Sequence, residues 1–524
     1  MKRSSPFLGV SLAALLAVAL IFSILPAAPL AAQAASVRYL VVAKADRLPD
    51  GLADQVTAAG GTISATMPEI GVIAVESANP DFANTVKAIK GVQSVIPDVS
   101  VSWVPAQDFA VIGQTPALDA PASTGDDFFF PMQWNIQAIQ APQAWAIGAK
   151  GKGVRVAVLD GGFELIHPDF FWYDTVAGGL VNNIDTASGA SFVLMETLPG
   201  EEPQFEPLQF NNYLLDQYGQ PVPSHATHVA GIIAAADNAY GVIGVAPEAT
   251  IVPIKVLRDA DLKGDFAWIT AGIYYAASLQ GAQAVQVINM SLGAAIPRNG
   301  YCDNSGACVT ANEVAELVNT LKRAIQFAGK QGITIVAAAG NFPPNDPKGP
   351  PTDTTPDMDH AGNLLFIPAD IPGVITVSAT GPNGWGLNPT TNLDLPAFYS
   401  RTGQSYVDFA APGGNVDLAA LGDPTNPLWD PCLIGGFQVY PCGRVDLVPS
   451  TLAANSGLWG WLYGTSMATP HVAGVAALII GQNGGSMKPS QVEAKLRQSA
   501  DDLGKPGNDD DYGQGRVNAY NAVR

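Results

Sequence analysis

The chain has 524 residues, 48% of them hydrophobic and 14% charged, and its 26 Lys and Arg against 46 Asp and Glu leave a formal net charge of -20. That apolar content is ample for a buried core and excludes a disordered chain, while the acidic balance without a basic block excludes the phosphate-neutralising surface that nucleic acid requires. The acidity reads as solubility outside the cell, with cation binding by some carboxylates as the alternative.

Lys2-Arg3, an apolar run over 7–25, Pro26 and the small-residue stretch Ala31-Ala32-Gln33-Ala34-Ala35 open the chain. They form the three-part pattern of a secretory signal with cleavage near Ala34 or Ala35. Residues 1–35 are therefore expected to be removed and the mature protein to be secreted and free of the membrane. The run is long enough to span a bilayer, so an uncleaved anchor is the alternative.

Across 36–103 short apolar runs at 39–43, 62–65, 72–76 and 92–96 alternate with amphipathic segments at 52–59 and 82–89. The order predicts a small β-α-β-β-α-β, ferredoxin-like α+β domain. Residues 104–127 lose periodicity and gather Pro, Gly, Ser and Asp, as an exposed, cleavable linker does. From 128 to 524, β-branched and Ala-rich runs at 155–159, 250–256, 285–290, 334–338, 374–379 and 407–410 alternate with helical segments. This predicts an α/β domain of three layers, its mainly parallel sheet covered on both faces. Polar or Pro/Gly-rich stretches at 172–223, 343–363 and 414–458 read as surface insertions. The cysteines fall in two close pairs, Cys302 with Cys308 and Cys432 with Cys442, in stretches that look like surface loops. In an exported chain they read as two local disulfides. A four-thiolate zinc site is the alternative, although its Cys-x-x-Cys spacing is absent.

Three segments carry groups for peptide-bond hydrolysis, which needs an activated hydroxyl, a base, a carboxylate to orient that base, and donors for the oxyanion. The run Val156-Ala157-Val158-Leu159-Asp160 is a buried strand ending in a carboxylate, where open α/β sheets place their sites. In Ser224-His225-Ala226-Thr227-His228 a polar loop feeds a small-residue helix with His225 at its start. In Gly464-Thr465-Ser466-Met467-Ala468-Thr469-Pro470-His471 a glycine precedes a helix that begins at the serine and aims N–H groups at a developing oxyanion. A metal bound by His225 and His228 lacks a third ligand at the usual spacing, and Ser466 as a plain helix cap leaves its neighbours unexplained.

These segments resemble the Asp, His and Ser motifs of the subtilisin family and occur in its chain order. The resemblance implies a serine endopeptidase in which Ser466 is the nucleophile, His225 the general base and acid, and Asp160 the orienting carboxylate. Asn341, closing Ala337-Ala338-Ala339-Gly340-Asn341, takes the part of the oxyanion donor, and Asn289-Met290-Ser291-Leu292-Gly293 resembles the edge that pairs with an extended polypeptide substrate. Ser291, Leu292, Gly293, Ala338, Ala339 and Gly340 are thus expected to bind substrate. Likeness extends through Gly241-Val242-Ile243-Gly244-Val245-Ala246-Pro247 and covers most of 128–524. Residues 36–103 resemble the family's propeptide, expected to act as an intramolecular chaperone and inhibitor, and a small binding domain kept for life is the alternative.

Two positions depart from the pattern. Gly161 stands where the family usually has Ser or Thr, and Ala226 where it usually has Gly. Phe366, in Leu364-Leu365-Phe366-Ile367-Pro368, falls where many relatives have Gly, which implies a narrowed pocket that prefers small side chains before the scissile bond. No cofactor is expected for catalysis. A structural calcium ion is implied at Asp126 or Asp127, with Asp169 and Asn238. The mature enzyme is expected to be a monomer acting on polypeptides. A catalytically impaired binding scaffold is the rival reading, and an α/β-hydrolase esterase is disfavoured because Gly464-Thr465-Ser466-Met467-Ala468 does not match Gly-x-Ser-x-Gly.

Overall fold

The computed structural model describes residues 36–104, 110–111, 127–175, 178–195, 202–215, 219–341, 358 and 362–524. The expected leader, Asp126 and most of the 104–127 stretch lie outside these residues. Among the described residues no helix is long and apolar enough to cross a membrane.

The first unit runs β1 (Val37–Ala43), α1 (Leu52–Ala58), β2 (Thr62–Met67), β3 (Val72–Ser77), α2 (Phe82–Lys87) and β4 (Val92–Pro97). Its strands pair antiparallel in the order β2-β3-β1-β4, and the alternation of side chains along them divides the sheet into two apolar faces. Val41, Ile73 and Val75 pack against Leu52, Val56, Phe82 and Val86 of the unit's own helices. Leu40, Val42, Val72 and Ala74 face the other way, into a core shared with the remainder of the chain.

That remainder is built on a second sheet. Its strands are β6 (Arg155–Asp160), β7 (Thr250–Lys255), β9 (Val287–Met290), β11 (Thr334–Ala338), β13 (Val374–Gly381) and β14 (Phe409–Pro412), with β8 (Lys263–Asp265), β10 (Ala294–Pro297) and β12 (Leu364–Ile367) outside it. The six pair in parallel in the spatial order β7-β6-β9-β11-β13-β14. Helices α3 (His225–Ala234) and α6 (Thr465–Gln482) lie in one core, and α4 (Phe266–Ser278) and α5 (Ala311–Lys330) in the other. Strand β6 shows why both faces are covered: Val156 and Val158 enter the first core, Ala157 and Leu159 the second, all four fully buried. A strand apolar at every position must be sandwiched.

The connection from β6 to β7 goes to one side of β6 and the next strand, β9, returns to the other. The crevice beyond the carboxyl ends of β6 and β9 is therefore the switch point where open α/β sheets bind ligands. Asp160 ends β6, and Ser291 follows β9 directly.

Several stretches expected to be surface insertions or linker are more integrated. Ala190–Ser191 joins the main sheet beside β7. Val448–Thr451 pairs with Trp459–Leu462, which in turn pairs with Ala110–Val111, while Val104 and Asp127 at the ends of the expected linker are buried. The cysteines form the bonds Cys302–Cys308 and Cys432–Cys442. Contrary to a surface loop, Cys442 is fully buried, and Leu428, Val439 and Val445 of the same insertion are buried as well.

Candidate active site

Ser224 caps α3, its side chain accepting from the Thr227 amide at 3.1 Å, and this fixes the rotation of the helix so that His225 faces the end of β6. His225 Nδ1 lies 2.9 and 2.8 Å from the two carboxylate oxygens of Asp160. Both side chains are buried, and the Gly161 amide donates to Asp160 Oδ1 at 2.7 Å. A carboxylate at Nδ1 selects the tautomer that leaves Nε2 free to accept a proton. That Nε2 is buried and has no hydrogen-bond partner.

Ser466 is the second residue of α6, where unpaired N–H groups and the positive end of the helix dipole gather. Its Oγ donates to Ser291 O at 3.0 Å, Ser291 Oγ donates back to Ser466 O at 2.7 Å, and Asn289 Nδ2 donates to Ser291 Oγ at 3.0 Å. This reciprocal clamp ties the start of α6 to the end of β9. Asn341, just beyond β11, has its Oδ1 taken by Thr465 N at 2.9 Å and Thr465 Oγ1 at 2.8 Å. The amide is thereby oriented with Nδ2 available as a donor, while Thr465 Oγ1 also accepts from the Gly340 amide at 3.1 Å.

The other nearby histidines are not part of this relay. Burial pushes His228 down to about 3 and His471 down to about 4, so both are neutral. His228 Nε2 meets Val448 O at 3.1 Å and His471 Nε2 meets Asn135 at 2.9 Å. Gly161 also has a local reason: a β-carbon there would lie 3.3 Å from Leu262, tighter than ordinary contact. Ala226 is fully buried within the helix core.

The crevice has an occupant, the tail of the first unit, as the likeness of residues 36–103 to the family's propeptide implies. Residues Ser100–Ser102 form β5, antiparallel to β8. The next residue, Trp103, accepts from the Gly293 amide at 2.7 Å. Its indole donates to Gly264 O at 2.9 Å and meets Phe266 edge-on at 5.4 Å. The end of the first unit thus lies as an added strand between β8 and residues 291–293. The alternation Ser100-Val101-Ser102-Trp103 was the available signal. Gly293, after β9, and Gly340, after β11, lie on two sides of the Phe366 ring, and Ser291, Leu292, Ala338 and Ala339, next to them in the chain, are buried. Phe366 itself is in β12, opposite Ala295.

Asp127, Asp169 and Asn238 come together near the α3 end. Asp127 Oδ1 accepts from the amides of Asn238 and Tyr240 at 3.3 and 3.1 Å, and Asn238 Oδ1 also accepts from Tyr240 N. Asp169 Oδ2 accepts from Val242 N at 2.9 Å and from Trp459 Nε1 at 2.7 Å, while its Oδ1 is buried without a partner. Burial raises Asp127 to about 7 and Asp169 well above the carboxylate range, the latter helped by the charge of Asp127. Two buried carboxylates, one with an orphan oxygen, beside an amide oxygen are an all-oxygen donor set that fits a hard cation. No group of three or more His, Cys, Asp and Glu side chains is placed to hold a metal among the described residues, so further ligands would have to be other oxygens.

Comparison with known proteins agrees with this geometry. The profile of the subtilase family matches residues 151–515. Thermitase from Thermoactinomyces vulgaris is 31% identical over 401 residues, covering 76% of this chain and 98% of thermitase. M-protease from Shouchella clausii is 32% identical over 391 residues, covering 75% and 70%. In structure, the epidermin leader peptide processing serine protease of Staphylococcus aureus superposes with a TM-score of 0.63 at 21% identity, covering 93% of this chain and 98% of that one, a likeness of fold. A serine at a helix start, a buried His-carboxylate pair and a matching profile over most of the second unit have one common reading: the chain belongs to the subtilase family of subtilisin-like serine endopeptidases.

Proposed function

We propose that this protein is a secreted endopeptidase made as a self-processed zymogen, with Ser466, His225, Asp160 and Asn341 as its catalytic residues. The reading is supported by the buried Asp160–His225 pair, by Ser466 at the start of α6, and by the Asn341 amide that Thr465 orients there. Ser466 Oγ, released from Ser291 O, attacks the substrate carbonyl while its proton passes to His225 Nε2. Asp160 stabilises the imidazolium, and Asn341 Nδ2 donates to the oxyanion. His225 then protonates the leaving amine, and water reverses the sequence to free the acyl group from Ser466. No step needs a metal.

Residues 1–35 act as the export signal and 36–103 as the inhibitory propeptide, supported by Trp103 lying in the substrate crevice; residues 104–127 hold the processing site. The mature peptidase, 128–524, works on polypeptides. Asp127, Asp169 and Asn238 are the residues that would hold a structural calcium ion, which supplies charge neutralisation and no chemistry.

A fluorophosphonate probe tests the reading. Expected is covalent label on Ser466, lost in Ser466→Ala and strongly slowed in His225→Ala, together with an N-terminus beyond 103 in wild type and an unprocessed chain in Ser466→Ala. A chain that takes no label and leaves peptides intact would establish the binding-scaffold reading instead.

A further inference from the structure

Ser466 Oγ donates to Ser291 O and Thr465 Oγ1 accepts from the Gly340 amide, so the slot between the walls at residues 291–293 and 338–340 opens beside the proposed nucleophile, where a substrate would place the side chain of the residue before the scissile bond. The docked strand that ends at Trp103 runs along the first of these walls. The slot is flanked by two glycines, Gly293 and Gly340, and Gly340 has a φ of 98° that favours glycine on its own account. In this chain the slot is not open. The tip of the Phe366 ring lies against both glycines, so closely that a β-carbon on either would overlap it.

We infer that Phe366 is the specificity-determining residue of this peptidase, a stopper that limits the residue before the scissile bond to Gly, Ala or Ser. The inference rests on the endopeptidase reading and names the substrate class of that site. The ring is held on several sides. It is 5% exposed and packs with Ala339, Ala369, Tyr406 and Val407. The guanidinium of Arg401 lies 4.9 Å from its centroid, within cation-π range, and Arg401 is itself buried with its backbone amide on Gly340 O at 3.0 Å. The backbone of Phe366 is fixed as well, by β12 pairing and by its amide donating to Asp370 Oδ2 at 2.7 Å. A leucine or phenylalanine side chain in the slot would have to expel the ring from this packing, so discrimination against it of about 100-fold is expected.

The test uses enzyme whose active sites have been counted by fluorophosphonate labelling, and peptides that vary only in the residue before the scissile bond. Wild type is expected to cleave after Ala, Gly and Ser with kcat/KM about 100-fold above that for Phe or Leu. In Phe366→Gly the ratio of Phe to Ala cleavage should rise by a similar factor; a ratio is insensitive to how much of the variant folds. Wild type that labels fully and cleaves after Phe or Leu as fast as after Ala would overturn the inference while leaving the peptidase reading intact. So would a fully labelled Phe366→Gly with an unchanged ratio. Absence of both labelling and cleavage would overturn the two readings together.

Discussion

Truncating Trp103 to Ala in the Ser466→Ala chain, which lacks the proposed nucleophile, removes the side chain that anchors the first unit in the crevice. Trp103 is fully buried, edges onto Phe266 and donates to Gly264 O. Truncation of a buried aromatic with the cavity it leaves costs about 3–5 kcal/mol, and the stranded Gly264 carbonyl contributes roughly 1 kcal/mol of that. The cost falls on the docking of residues 100–103, since the neighbouring core of α4 and the second sheet is held by many other side chains. The Gly293 amide, whose acceptor is the Trp103 carbonyl, reports the opening directly. Its hydrogen exchange should accelerate by roughly 10²–10³-fold, following tenfold per about 1.4 kcal/mol. Trp103→Phe keeps a ring against Phe266 and should restore most of the protection. If Gly293 exchanges at the parental rate in Trp103→Ala, or if Trp103→Phe is equally damaging, the anchor argument is wrong.

Asn341→Ala should lower kcat by about 10²–10³-fold with little change in KM, because an oxyanion donor acts mainly in the transition state; steady-state kinetics with an Ala-ending acyl substrate would show an effect on KM alone if the assignment were mistaken. Docking of the first unit should weaken as pH rises. Asp98 accepts from the Ala267 amide at the start of α4, and burial, then the charge of Asp265, push it well above the carboxylate range. Asp265 is raised by burial despite its 3.0 Å contact with Arg38. Carboxyls raised in the docked state stabilise it fully below the ordinary value near 4 and lose that contribution as pH climbs through the raised values. Gly293 exchange followed against pH should therefore show docking strongest in acid, with a shallower slope in Asp98→Asn; docking that strengthens with pH would contradict the sign. A chelator should lower the melting midpoint of wild type, and a midpoint unmoved by chelator and by Asp169→Asn would remove calcium from the account.

The sheet strands were legible because parallel strands buried on both faces read as continuous apolar runs, as in Val156-Ala157-Val158-Leu159; the roles proposed for Ser466, His225 and Asp160 came from the likeness of their segments to family motifs, and of these three the structure pairs Asp160 with His225. What stayed hidden depends on pairs far apart in sequence. Thr465 orients Asn341 across 124 positions, and no local pattern announces that. Trp459 reaches the carboxylate of Asp169 from just beyond a stretch that looked like a surface insertion. Phe366 was suspected on its position alone, but that its ring closes the slot follows from the approach of two separate glycines. The insertion around Cys432 and Cys442 was read as surface because Gly and Pro dominate it; its buried Leu428, Val439 and Val445 are too sparse for a periodic signal.

The mutual hydroxyl-to-carbonyl clamp between Ser291 and Ser466 makes the proposed nucleophile a late product of the chain. Asp160 leaves the ribosome first, and Ser466 follows after His225, Ser291 and Asn341 have all been made. Until α6 is added, Ser291 Oγ has no Ser466 carbonyl to donate to and the Asn341 amide has no Thr465 to turn it. A nascent or truncated chain therefore carries a carboxylate and an imidazole but no reactive hydroxyl. By the time one exists, residues 36–103, synthesised before any of these groups, are already available to cover it.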